Sequence, residues 1–136
     1  MQTLTIPAFD SYVCLGDSIA IEDGLYTFTA RIEFDDDTSP DEFDCFDVNC
    51  PDYGEENAKY IRAWRNGEWF YCGIAISAEY NGFALPGNYL ASLWGIEANF
   101  PGSDNAYLSE VVSELLPEAK ERATELLNTI RAKLAA

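Results

Sequence analysis

Eleven carboxylates crowd one stretch of this 136-residue chain: Glu33, Asp35, Asp36, Asp37, Asp41, Glu42, Asp44, Asp47, Asp52, Glu55 and Glu56, with no base among them. Residues 1–56 hold fifteen acids and a single base, Arg31, whereas residues 57–136 hold nine acids and seven bases, so most of the formal charge of -16 is local. Crowded carboxylates can solvate a loop, bind a hard cation, exchange protons as an acid/base pair, or imitate the phosphates of a nucleic acid. General adaptation to high salt would spread acids over every surface, and this concentration argues against it.

Several chemistries are excluded by residues the chain lacks. There is no histidine, the side chain that most often moves protons near neutrality, so no triad can be assembled around one. Cys14, Cys45, Cys50 and Cys72 contain no CxxC pair of the kind zinc sites use, and a chain this long and this apolar needs no disulfide staples; reduced thiols are expected. No phosphate-cradling glycine loop, GxSxG or HExxH is present. For calcium, Asp35, Asp37 and Ser39 open like an EF-hand loop, but Pro40 stands where glycine is required and no glutamate follows at the twelfth position. The expectation is a protein without enzymatic activity, metal or cofactor. Phosphate mimicry needs none of these. Same-face residues on a strand lie at about twice the ~3.3 Å rise, close to the separation of successive phosphates along a DNA strand. Direct binding to nucleic acid is disfavoured, because phosphates would be repelled.

The elements that must hold this stretch are legible from periodicity. Residues 69–80 and 83–98 are two apolar, aromatic-rich runs around Asn81-Gly82, which predicts a central β-hairpin. In the first run, Phe70, Cys72, Ile74, Ile76, Ala78 and Tyr80 form the expected core face, while Trp69, Tyr71, Gly73, Ala75, Ser77 and Glu79 form a half-wet one. In the second run, Pro86-Gly87-Asn88 predicts a bulge before Leu90, Trp94 and Ile96 rejoin the core. A second hairpin is expected from residues 18–22 and 25–34, with a two-residue loop at Asp23-Gly24 pairing Ile21 with Tyr26 and Ile19 with Phe28. Tyr26, Phe28, Ala30, Ile32 and Phe34 then make an apolar row.

Residues 4–15 suggest one or two short strands carrying Cys14, with Tyr12 and Val13 buried, and residues 35–53 a long loop tacked down by Phe43, Phe46, Val48 and Tyr53. Asn57, Tyr60, Ile61 and Trp64 recur at helical spacing over residues 55–65, with Gly67 as a stop; a strand over residues 59–64 is the alternative. From about Asn105, capped by Ser103 or Asp104, a long amphipathic helix runs to the end, kinked at Pro117 or broken near Leu116. The fold class is therefore α+β in one domain, residues 1–136: an antiparallel sheet of four to five strands, a long C-terminal helix across one face and a short helix before the central hairpin.

The segments AWRNGEWFYCGIAIS, ASLWGIEAN and YLSEVVSELL resemble a family of small acidic proteins carried by bacteriophages and other mobile elements, a family with no assigned activity. The resemblance covers residues 63–116 and leaves the acidic half outside it. It implies a setting in which useful functions are replication and packaging accessories, regulators and blockers of host defence. The combined expectation is DNA mimicry against a restriction or CRISPR type complex. The partner would be a host or phage protein with a basic, DNA-binding surface. A second surface, from Trp64, Trp69, Tyr71 and Trp94, would instead bind a protein partner through aromatic contact. The amino-terminal MQTLTIPAFD lacks a basic n-region and the apolar run over residues 69–78 is half the ~20 residues a membrane span requires, so a host-cytoplasmic location is expected.

Overall fold

The computed structural model describes residues 4–136; residues 1–3, the start of the expected domain span, and the side chain of Asp44 lie outside that description. The elements are β1 (Ser18–Asp23), β2 (Tyr26–Phe34), α1 (Gly54–Arg65), β3 (Phe70–Tyr80), β4 (Phe83–Ala84), β5 (Ala91–Ala98) and α2 (Ala106–Ala135), with 3-10 turns at Pro40–Glu42 and Asp44–Phe46. This is the expected α+β architecture. β1, β2 and β3 pair antiparallel in chain order, and β4 and β5 both pair with the remaining edge of β3. Among the described residues, no helix is long and apolar enough to cross a membrane.

Both hairpins form, each with the turn its glycine permits. Asn81 and Gly82 take φ of 49° and 84°, positive at both central positions as a type I′ turn requires, and Tyr80 pairs with Phe83. In the other hairpin the loop is Gly24-Leu25, one residue later than expected: Asp23 pairs with Tyr26, Ile21 with Phe28 and Ile19 with Ala30. Gly24, at φ 60°, supplies the positive dihedral at the first central position of the turn. The pairing moves by two residues, and because side chains alternate with period two, every face assignment survives the shift. Phe34, at the far end of the apolar row, is exposed.

One face of the sheet carries the main core. Leu108, Val112, Leu116, Ala119 and Ala123 of α2 pack on Phe28, Ile32, Ile74 and Ile76. The helix runs continuously through Pro117, so the alternative of a break near Leu116 does not occur. Its stripe thins toward the end, where Leu134 is exposed. Asn105 enters α2 at φ 63° and ψ 16°, a left-handed conformation that asparagine tolerates. Its side chain does not cap the helix; Asp104 Oδ1 accepts the Ala106 N–H instead.

The buried amide of Asn105 donates to the Ser11 carbonyl and to Asn99 Oδ1, while Asn99 accepts the Val13 N–H and donates to the Val13 carbonyl. These bonds fix the amino-terminal segment in an irregular path where strands were expected. Val13 is buried there, whereas Tyr12 and Cys14 are exposed.

The opposite face departs from expectation. Trp69, Tyr71 and Ala75, placed on a half-wet face by alternation, are fully or almost fully buried, and only Ser77 and Glu79 keep partial or full exposure. Three covers account for this: the loop after β2, helix α1, and the chain between β4 and β5. In the last, Arg31 on β2 donates to the Asn88 carbonyl and lies 5.0 Å over the Tyr89 ring, spanning the neighbouring strand. β5 regains register through a bulge opposite Gly73, where Gly95 has φ 76°. Leu90 and Ile96 rejoin the core, but the bulge turns Trp94 to the other face, against Gly73, where a Cβ would collide with the indole.

Candidate functional site

The acidic loop is an ordered structure, and the order comes from a second, aromatic core. Phe46 is the one loop residue of the expected four that is buried; Phe43 is partly open, with its ring 5.7 Å from that of Tyr71, and Val48 and Tyr53 are exposed. Phe46 packs with Ile61, Trp69 and Tyr71, and Phe100 closes the cluster at 5.1 Å from Trp69 in an edge-on arrangement favoured by aromatic quadrupoles. The indole N–H of Trp69 donates to the Tyr60 carbonyl at 2.8 Å, tying β3 to α1. Buried Asn57 on α1 donates to the Asp47 carbonyl at 2.8 Å. At Gly54 the Val48 carbonyl approaches so closely that a Cβ would overlap it. Loop and helix thus form one wall.

The eleven acids divide into distinct roles. Asp35 is 7 % exposed: Oδ1 accepts the Asp37 N–H at 3.0 Å, and Oδ2 accepts the Thr38 hydroxyl at 2.7 Å and the Gly95 N–H at 2.8 Å. It braces the loop against the β5 bulge, and its charge is turned inward rather than toward solvent. Glu33 lies on the sheet, 2.8 Å from the Arg31 guanidinium and accepting from the Tyr89 hydroxyl. Asp36, Asp37, Asp41, Glu42, Asp47, Asp52, Glu55 and Glu56 are exposed, and none has a base within 4.0 Å among the described residues. Glu55 and Glu56 sit in the first turn of α1, where the helix dipole favours anions, and Glu56 accepts the Tyr60 hydroxyl, which raises the phenol's pKa. Only Glu33 lies on a strand. The regular strand-edge spacing expected for the run does not exist, and the carboxylates follow a loop, two 3-10 turns and the first turn of α1 instead.

The expected aromatic surface dissolves. Trp69 is fully buried, Tyr71 is 1 % exposed and Trp64 is partly buried against the same cluster; Trp94, 43 % exposed, lies at the bulge. The rings of Trp64, Trp69 and Tyr71 belong to the second core, apart from Trp94, and the four leave no continuous face.

The cysteines and the Asp35–Asp37 cluster sit in different surroundings. All four thiols are free. Cys72 is fully buried, and burial, aided by the Asp35 charge, pushes its thiol up to about 12, the reverse of what a nucleophile needs. Asp35, Asp36 and Asp37 bring carboxylate oxygens within 4.8 Å of one another, but both Asp35 oxygens already accept hydrogen bonds. Glu97 has its pKa raised by desolvation, and the buried hydroxyls of Tyr71 and Tyr107, raised first by burial and then by the Glu97 charge, have no hydrogen-bond partner among the described residues.

Sequence reading passed over one acidic feature. Glu110, Glu114, Glu118, Glu121 and Glu125 are all exposed on α2. Four of them recur every three or four residues after Glu110, the helical period that puts neighbours about 6 Å apart along the axis. That spacing was the signal. The apolar stripe occupies the other side of the same helix.

Comparison with protein-family models, with curated proteins and with solved structures gives no match to this chain.

Proposed function

We propose that this is a non-enzymatic inhibitor from a phage or other mobile element that occupies the DNA-binding surface of a host defence complex of restriction or CRISPR type. The observation that carries the reading is the set of exposed carboxylates between Asp36 and Glu56, unpaired among the described residues and borne on a loop fixed by Asp35, Asn57 and Phe46. A fixed array of anions matches a basic groove without the ordering cost that a mobile tail would incur. A second set of exposed glutamates lies on α2, which packs on the other face of the sheet. The resemblance of residues 63–116 to mobile-element proteins supplies the setting. The partner is a protein with a basic, DNA-binding surface. Nucleic acid itself is repelled, and no cofactor is involved.

The test is capture of a partner from host lysate with immobilised protein at low and at high salt, followed by challenge with duplex DNA. Binding by mimicry weakens steeply with ionic strength, and DNA displaces the partner. The variant carrying Asp36→Asn, Asp37→Asn, Asp41→Asn and Glu42→Gln should fold and lose capture. If it captures the partner as the parent does, or if DNA fails to compete, the run only solvates the loop and mimicry is wrong.

A further inference from the structure

An open groove of about 610 Å³ runs between the acidic loop and α1. Apolar side chains form part of its lining: Phe46 and Ile61 are buried, while Phe43 is 40 % and Val48 49 % exposed, so hydrocarbon faces water in the middle of the densest acid run. The walls are held in place by the Asn57 bond to the Asp47 carbonyl and by the close approach at Gly54. Asp41 and Asp47 line the loop side, and Arg62 and Arg65, one helical turn apart, line the α1 side. Among the described residues neither arginine has a carboxylate within 4.0 Å, although the neighbouring loop is the most acidic part of the chain.

We infer that this groove seats one apolar side chain of the partner protein, from a segment in which that side chain stands between a basic and an acidic residue. The two signs on the rims select the occupant. A segment carrying only bases would place like charge on Arg62 and Arg65, and one carrying only acids would place like charge on Asp41 and Asp47. A segment with one of each satisfies both rims while its apolar side chain covers Phe43 and Val48. The volume lies within the range of pockets that hold compact ligands, and the walls are already formed, so little ordering is required. Such an anchor governs how long a complex lasts, whereas the surrounding acids govern how fast it forms. The inference rests on the mimicry reading for the partner's identity alone; the chemistry of the groove stands apart from it.

The test uses four short peptides, blocked at both ends: leucine between lysine and glutamate, serine in place of that leucine, leucine between two lysines, and leucine between two glutamates. Each is titrated into the intact protein while backbone amide shifts are followed by NMR. The first peptide should move the amides of Val48, Ala58 and Ile61 and bind at least ~10-fold more tightly than the serine peptide, the gain expected from burying a leucine side chain. Val48→Asp, at an exposed position, should weaken it by a similar factor, and Arg65→Glu should remove its advantage over the peptide with two lysines. Equal binding of the leucine and serine peptides, absence of shifts, shifts confined to other regions, or tighter binding by two lysines overturns the inference. No DNA enters this measurement, so the groove can fail while DNA competition succeeds, or the reverse.

Discussion

β3 is buried on both faces from Tyr71 to Ile76, and the two faces are buried by different means. Cys72, Ile74 and Ile76 on one side of β3 meet a regular stripe of leucine, valine and alanine on α2. Trp69 and Tyr71 on the other side meet Phe46, Tyr60 and Phe100, drawn from a loop, a short helix and the chain after β5. A helix closes a face by repeating one contact along its length. An irregular loop has no such repeat, and it orders itself by placing a few large rings that each bury much area. The first face gives the molecule its fold; the second holds the acidic surface in one shape.

The comparison breaks most visibly at Trp69. Trp69→Ala should cost about 3–5 kcal/mol, as for large aromatic truncations, read from urea denaturation. It should also raise amide exchange across residues 35–53 and α1 more than across β2 and β3. If exchange rises equally on both faces, the second core is not a separable unit and the loop is held by something else.

Asp35 sharpens the contrast within the acidic run. Asp35→Ala leaves the Asp37 and Gly95 N–H groups and the Thr38 hydroxyl without their acceptor and should destabilise by about 2–3 kcal/mol. Asp36→Asn and Asp37→Asn should stay within about 0.5 kcal/mol of the parent, leaning toward stabilisation as like charges are relieved. Thermal unfolding of the three variants decides; similar losses at all three positions would remove the distinction between brace and free charge.

The smallest effect concerns the tyrosine that faces the second core. Tyr71 has a buried hydroxyl without a partner among the described residues, so Tyr71→Phe should be neutral or stabilising by up to about 1 kcal/mol at pH 7. In alkali the variant gains more. Burial raises Tyr71 and Tyr107 above the usual 10.0, and Cys72 from 9.0 to about 12, so these groups keep their protons in the folded state after the unfolded chain has lost them. Their contribution is complete below pH 9.0 and falls as pH rises toward the folded values. Denaturation series should show the parent losing more stability above pH 10.0 than Tyr71→Phe; parallel curves would contradict the burial of that hydroxyl.

What the sequence determined by itself is whatever a short-range rule governs. Period two with Asn81-Gly82 and Asp23-Gly24 yields the hairpins, period 3.6 yields α1 and α2, and the location of the acids is a matter of counting. The loop of the second hairpin was misplaced by one residue because both Asp23-Gly24 and Gly24-Leu25 let glycine take the positive dihedral, and only the pairing of whole strands separates them. Tertiary structure decided the rest. Alternation along β3 says which residues share a face but not what lies over it, so the burial of Trp69 and Tyr71 waited on Phe46 and Phe100, far away in the chain. Asp35 and Asp36 are neighbours of the same type, and nothing local distinguishes them. The Gly95 N–H, sixty residues on, turns the first into a brace and leaves the second facing water. A carboxylate's role is set by the donors around it, and those donors are brought together only when the chain has folded.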